Sequence, residues 1–304
     1  TWWFPTYYRS RIIGLFMTAI PFSVIVGSIV SGALLELDGH MGLAGWQWLF
    51  IVEAVPAVIC GIVVLFYLTD QPAGAHWLQP DQRKWLTDRL QAERIQRESV
   101  RRYGLAEAMS NGRVWLLTLV YFGQNVAGYG LVIFLPQIIK RFGVGDVETG
   151  FINAIPFVFG ALAMVLWGLH SDRTGERNLH CAAACFLSFA ALAACVFIDN
   201  PVLLMVAIVL SQMGQSAIAP TFWTLPTAML TGTAAAGGIA LINSVGNLGG
   251  FAGPYAMGLV RDATGSFGLG LLTIAGGTLI SAIVLLFLGH DRRLEQIPAA
   301  HPAE

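Results

Sequence analysis

The chain has 304 residues, of which 56% are hydrophobic and 12% charged, with a formal net charge of −1. A soluble domain carries about a quarter charged residues, and a near-neutral chain offers no basic field to nucleic acid. Cys60, Cys181, Cys185 and Cys195 all fall inside apolar runs, without C-x-x-C or Cys/His metal spacing, which reads as core thiols with no metal and no cofactor. The apolar residues collect in runs of roughly 18 or more, the length that crosses a bilayer as a helix. The expectation is an all-α integral membrane protein.

In chain order, the opening TWWFPTYYRSR has neither an initiating Met nor the basic start of a signal peptide, and reads as the interior of a longer protein. Eight spans are predicted at 12–35, 46–68, 114–139, 151–170, 179–198, 201–230, 234–260 and 267–288. Residues 200–260 contain no charged side chain, and the small, polar stretch TGTAAAGG at 231–238 divides them into two spans. Between the second and third spans lies the one long polar insert, 70–113. Within it DQRKWLTDRLQAERIQRES predicts an amphipathic helix, with Trp85, Leu86 and Leu90 to one side. If residues 1–11 are cytoplasmic, 14 of the 17 Lys and Arg residues fall on the cytoplasmic side, and only Lys140, Arg141 and Arg261 fall opposite. That asymmetry obeys the positive-inside rule and returns the C-terminus to the cytoplasm. A faint repeat relates TWW-FPT at 1–6 to TFWTLPT at 221–227, as duplicated transporter halves would.

Between the fourth and fifth spans, GLHSDRTGER (168–177) packs four charged residues into ten positions. It resembles the cytoplasmic loop signature of the major facilitator superfamily, G-x-x-x-D-[RK]-x-G-[RK]-[RK]. Gly168, Asp172, Arg173, Gly175 and Arg177 match, while Glu176 stands at a basic position. Gly168 would allow close helix approach and Gly175 a turn with positive φ. Asp172 would make a charged contact that breaks as helices rock apart, so that the five residues act as a conformational latch. The plainer alternative is a hydrophilic turn. GWQWLFIVEAVPAV (45–58), TDQPAGAHWLQPDQRKWL (69–86) and NSVGNLGGFAGPYAMGLVRDATGS (243–266) are similar to the anion:cation symporter family, the phthalate, tartrate and glucarate permease group.

The resemblance implies a major facilitator fold with eight of its twelve transmembrane helices present, helices 5–12, in an N-terminally truncated chain. Residues 1–68 would be the remainder of an N-terminal helix bundle, 69–113 a cytoplasmic linker, 114–290 a C-terminal six-helix bundle and 291–304 a cytoplasmic tail. It implies a monomer in the inner membrane that imports a small organic anion together with a coupling cation, a proton. The Arg and acidic residues that hold carboxylate and proton in this family would lie in the helices not present.

Polar side chains inside spans normally face a cavity or another helix. Gln124, Asn125 and Tyr129 stand halfway along the third span, Gln212 and Gln215 in the middle of the sixth with Thr221 and Trp223 beyond, and Asn243 and Asn247 on one face of the seventh. Their matching depth predicts a midplane substrate site, with neutral amides suited to the hydroxyls of a sugar acid. Interhelical hydrogen bonding is the alternative. Glu53, the acidic residue within a span, reads as interfacial. The glycines at 246, 249, 250, 253 and 258 read as close helix packing. No paired catalytic carboxylates, H-E-x-x-H or G-x-S-x-G motif supports an intramembrane enzyme. A non-transporting remnant stays open as an alternative.

Overall fold

The computed structural model describes the backbone of residues 3–4, 16, 18–99, 109–229 and 232–288, and their side chains other than those of 93–94, 96–99, 172, 227–229 and 232–236. Helices occupy all eight predicted positions, and no strand occurs among the described residues. In order they are α1 (Ala19–Leu35), α2 (Gly45–Tyr67), α3 (Pro80–Ser99), α4 (Gly112–Lys140), α5 (Asp146–Thr174), α6 (Asn178–Ala194), α7 (Pro201–Phe222), α8 (Thr224–Met229), α9 (Gly232–Gly246), α10 (Gly249–Thr264) and α11 (Phe267–Phe287). Six of them are individually long and apolar enough to cross a membrane. The amphipathic helix is α3, one residue longer at its start than the sequence pattern suggested.

Local chemistry sets the ends. Asn111 and Asn200 cap α4 and α7 by accepting from Arg113 N (3.0 Å) and from Val202 N and Leu203 N (2.9 and 3.1 Å). Gln47 reaches back to Ala44 N (2.8 Å) at the start of α2. At Gly175 the backbone turns left-handed (φ 72), as predicted, and its N–H returns to Ser171 O (3.0 Å) to end α5. The seventh span departs from expectation. It is two helices, α9 and α10, with i→i+3 bonds Leu248 N→Val245 O (3.1 Å) and Gly250 N→Asn247 O (2.9 Å) at the junction. Asn247 and the double glycine behind it are poor helix formers, so the spiral tightens there rather than running through.

The helices α5, α7, α6, α11 and α4 pack in that order around a ring that closes from α4 to α5, with α9 packed on α4 and α10 on both α4 and α11. Two apolar layers fill the bundle. One holds Val114, Leu117, Ile218, Phe222, Ile242 and Leu285; the other holds Leu131, Leu135, Leu192, Ile208, Met257 and Ile274. Small and polar side chains separate them, among them Ser188, whose Oγ is 3.1 Å from Ser211 Oγ. In hydrocarbon such contacts, rather than expulsion of water, bring helices together. Gly253 shows the principle: an added Cβ would collide with the Val126 carbonyl of α4.

Outside the ring α1 packs along α5, and α2 packs against α1. No residue of the most apolar stretch of α2 is buried. Lys140, Arg141 and Arg261 gather at one end of the ring. Lys140 pairs with Asp146, while Arg141 and Arg261 both lie over the Phe267 ring, 4.7 and 5.0 Å from its centroid. The three basic residues assigned to the non-cytoplasmic side thus share one end of the structure.

Candidate functional site

Gln124 and Asn125 are neighbours on α4, so their side chains leave the helix about 100° apart. The structure sends them to different places. Gln124 is buried against α6, donating from Nε2 to Cys185 Sγ (3.0 Å), and its Oε1 has no hydrogen-bond partner. Asn125 turns to the α9–α10 junction, where Nδ2 donates to Gly246 O (3.0 Å) and more weakly to Asn247 Oδ1 (3.3 Å). Asn247 Nδ2 in turn donates to Asn243 Oδ1 (2.8 Å). The three asparagines form a directed ladder of amides, with Asn243 and Asn247 exposed.

One turn further along α4, Tyr129 is 47% exposed, and its ring lies beside Gly250 of α10. One turn before Asn125 stands Tyr121. Its ring stacks on Phe222 (centroids 5.6 Å) and meets Trp223 edge-on (5.0 Å). Tyr121, Asn125 and Tyr129 therefore line one face of α4 at four-residue spacing. Tyr121 did not figure among the sequence candidates, although that spacing marks it.

The residues of α7 divide the same way. Gln212 donates from Nε2 to Ser216 Oγ on its own helix (3.2 Å) and packs against Gly160 of α5. Gln215, three residues on, faces Gly128 of α4, and its Nε2 is buried without a hydrogen-bond partner. Thr221 is nine residues from Gln212, half a rotation round the helix. It is buried against α6, where its hydroxyl bonds to Ile218 O (3.0 Å) and accepts from Cys181 Sγ (3.0 Å). Of the nine sequence candidates, the structure brings Asn125, Tyr129, Asn243 and Asn247 together. It places Gln124 and Thr221 in the seam between helices, joined to two cysteines four residues apart on α6. Glu53 on α2 is exposed and accepts from Ser31 Oγ of α1 (2.5 Å).

At the signature turn Gly168 lies beside Pro220 of α7, but an added Cβ would be 3.6 Å from that ring, an ordinary contact. Close approach therefore does not demand glycine in this arrangement, contrary to the sequence expectation. Arg173 is exposed and Arg177 half-buried at the start of α6. The side chain of Asp172 lies outside the described residues. Of the repeat at 1–6, only Trp3 and Phe4 are described; Trp3 stacks on Trp77 at 5.7 Å.

An apolar groove of about 550 Å³ between α1 and α5, walled by Phe16, Phe22, Ile25, Val158, Leu162 and Val165, contains none of the polar candidates. Its lining suits lipid or a neighbouring helix.

The family model described as Major Facilitator Superfamily matches residues 2–254 and again 145–302. The chain belongs to the major facilitator superfamily. The superfamily is one of multi-pass membrane transporters, not of enzymes. The chain is 49% identical over 96% of its length to a protein of Agrobacterium vitis named "Putative tartrate transporter", covering 65% of that protein. It is 36% identical over 98% of its length to the "Inner membrane transport protein RhmT" of Escherichia coli (strain K12), covering 69% of it. The chain thus spans about two-thirds of the length of these relatives. Among solved structures, a bacterial homolog of the human lysosomal transporter Spinster matches with a TM-score of 0.62 and 16% identity, over 95% of this chain and 70% of that one. At that identity the likeness concerns the fold.

Proposed function

We propose that this chain supplies most of a secondary transporter that imports a small hydroxylated organic anion (a sugar acid, dicarboxylate or aromatic carboxylate) by proton symport with alternating access. The amide ladder carries the reading. Asn125 is tied to the Gly246 carbonyl and Asn243 has its own carbonyl occupied by Asn247, which leaves the Asn243 amide N–H groups as donors at the exposed end. Donors without a fixed positive charge suit hydroxyl and carboxylate oxygens, while the full charge of the anion needs an Arg from another part of the protein. Tyr129, Gln215, Trp223 and Tyr121 extend the polar and aromatic face. Gln124, Gln212 and Thr221 take part through the helices they join.

The relative named for tartrate, at 49% identity, supports the substrate class. In this reading the protein is a monomer of the inner membrane with its C-terminus in the cytoplasm. Residues 1–68 belong to one helix bundle and 114–290 to the other, with 69–113 as the linker between them and 291–304 as the tail. Gly168, Asp172, Arg173, Gly175 and Arg177 latch one of its conformations.

The test is uptake of radiolabelled tartrate and aldarate acids into proteoliposomes holding the protein expressed from its complete reading frame. Accumulation should follow an inward proton gradient and collapse with a protonophore. Uptake indifferent to the gradient would overturn proton coupling. Failure to bind any hydroxy acid would overturn the substrate class.

A further inference from the structure

The signature turn carries a second feature, made of residues that the transport reading does not use. His170 lies near the end of α5 and His180 in the first turn of α6, and the turn between them holds most of the local charge. Their rings meet directly, with His170 Nδ1 2.7 Å from His180 Nε2. Trp167 holds the pair from one side, its indole N–H donating to His180 O (3.1 Å) and its ring packing on both imidazoles, at centroid distances of 5.3 and 6.3 Å. His180 is only 9% exposed, and its other ring nitrogen, Nδ1, is buried with no hydrogen-bond partner.

A nitrogen–nitrogen hydrogen bond needs one protonated and one bare nitrogen. The neutral pair satisfies that. So does the pair carrying one extra proton, because an imidazolium donating to an imidazole is the stronger, charge-assisted form. With two extra protons both facing nitrogens carry hydrogen, and the contact becomes a repulsion between two cations. The ionisable residues along the packed elements are Asp172, Arg173, Glu176 and Arg177 in the turn, and Cys181 after His180, with Arg113 at the start of α4. Neither α7 nor α11 contains a charged residue or a histidine.

We propose that His170 and His180 form a proton-binding clamp that sets the conformation of the signature turn. The clamped state holds at most one extra proton and the open state holds two, so a falling pH favours opening. The pair joins the two helix ends that the turn connects. Ser171 Oγ, beside His170, donates to Glu176 O (3.2 Å), and the Gly175 N–H returns to Ser171 O. Releasing the histidines frees this turn from both ends. The ligand is the proton itself, at a site separate from any coupling carboxylate.

The experiment is histidine-selective ¹⁵N NMR of the protein in lipid nanodiscs between pH 4.5 and 9, with a nitroxide at Thr174→Cys in a Cys60→Ser background. His170 and His180 should take up protons in two steps separated by more than about one pH unit. The nitroxide should gain mobility at the second, more acidic step. In His170→Gln, which keeps a hydrogen-bonding side chain but cannot titrate, His180 should titrate in one step and the nitroxide should ignore pH. His170 is exposed, so this variant does not depend on repacking a buried site. Independent single steps for the two histidines, each unmoved by replacing the other, would overturn the proposal. So would a nitroxide whose mobility is the same at every pH. None of these readouts depends on transport, so they stand apart from the substrate and coupling reading.

Discussion

Gln124 and Asn243 share a depth in the sequence reading but not an environment in the structure, and substitution separates them. Gln124 has one hydrogen bond, to a sulfur, and one buried carbonyl oxygen with no partner. Replacing it by Leu, of similar volume, gives up a sulfur bond worth ~0.5 kcal/mol and removes an unpaired carbonyl that costs ~1–3 kcal/mol. The net is a gain of ~0.5–2.5 kcal/mol. At ~2–4 °C per kcal/mol for a chain of this order of size, the melting temperature should rise by ~1–10 °C. Substrate affinity should not change. Asn243 is exposed, and its removal strands only the exposed Asn247 amide. Asn243→Ala should leave the melting temperature within ~2 °C and weaken binding ~2- to 12-fold, the worth of one neutral hydrogen bond of ~0.5–1.5 kcal/mol. Both numbers come from one purified preparation of each variant, from thermal unfolding in detergent and from ligand calorimetry. A Gln124→Leu protein that is equally or less stable and binds substrate more weakly would refute the reasoning. It would mean that the open Oε1 is kept for the substrate rather than trapped between α4 and α6.

Two Gly→Ala changes, one in α10 and one in α11, should have opposite effects. At Gly253 the new methyl meets the Val126 carbonyl and should cost ~1–3 kcal/mol, whereas Gly276 faces open space and should gain up to ~1 kcal/mol of helix propensity. Equal melting temperatures would contradict the close approach. Asp172→Asn should slow transport several-fold while equilibrium substrate binding holds, because a charged contact made in one state shifts a conformational balance by ~1–3 kcal/mol; unchanged uptake kinetics would leave only a hydrophilic turn. Cysteines at Ser110 and Thr174 should react with an impermeant maleimide from the cytoplasm and one at Gly145 from outside, and labelling of Gly145 and Thr174 from the same side would end the eight-span topology.

How much was legible follows from which quantity each inference used. Span positions depend on hydropathy summed over some twenty residues, a strong signal that placed the helical regions from the second span onward within about five residues. Gly175 was legible because a left-handed turn after a helix is a local backbone demand that few residues meet. The break at Asn247–Leu248 was written in NLGG, but a run of apolar residues on both sides hid it, because hydropathy does not register a tightened turn. The polar candidates were chosen by depth along each span, and depth says nothing of direction round the helix. That is why Gln124 and Asn125, adjacent in sequence, ended on different faces, and why Thr221 and Gln212, both on α7, point opposite ways. The missing coordinate was already present in the spacing. Tyr121, Asn125 and Tyr129 repeat every four residues, and Cys181 and Cys185 do the same on the helix that receives Thr221 and Gln124. Pairing such stripes across helices assigns a face as well as a depth. It divides the amides into those that bind helices and those left facing out, before any coordinate is known.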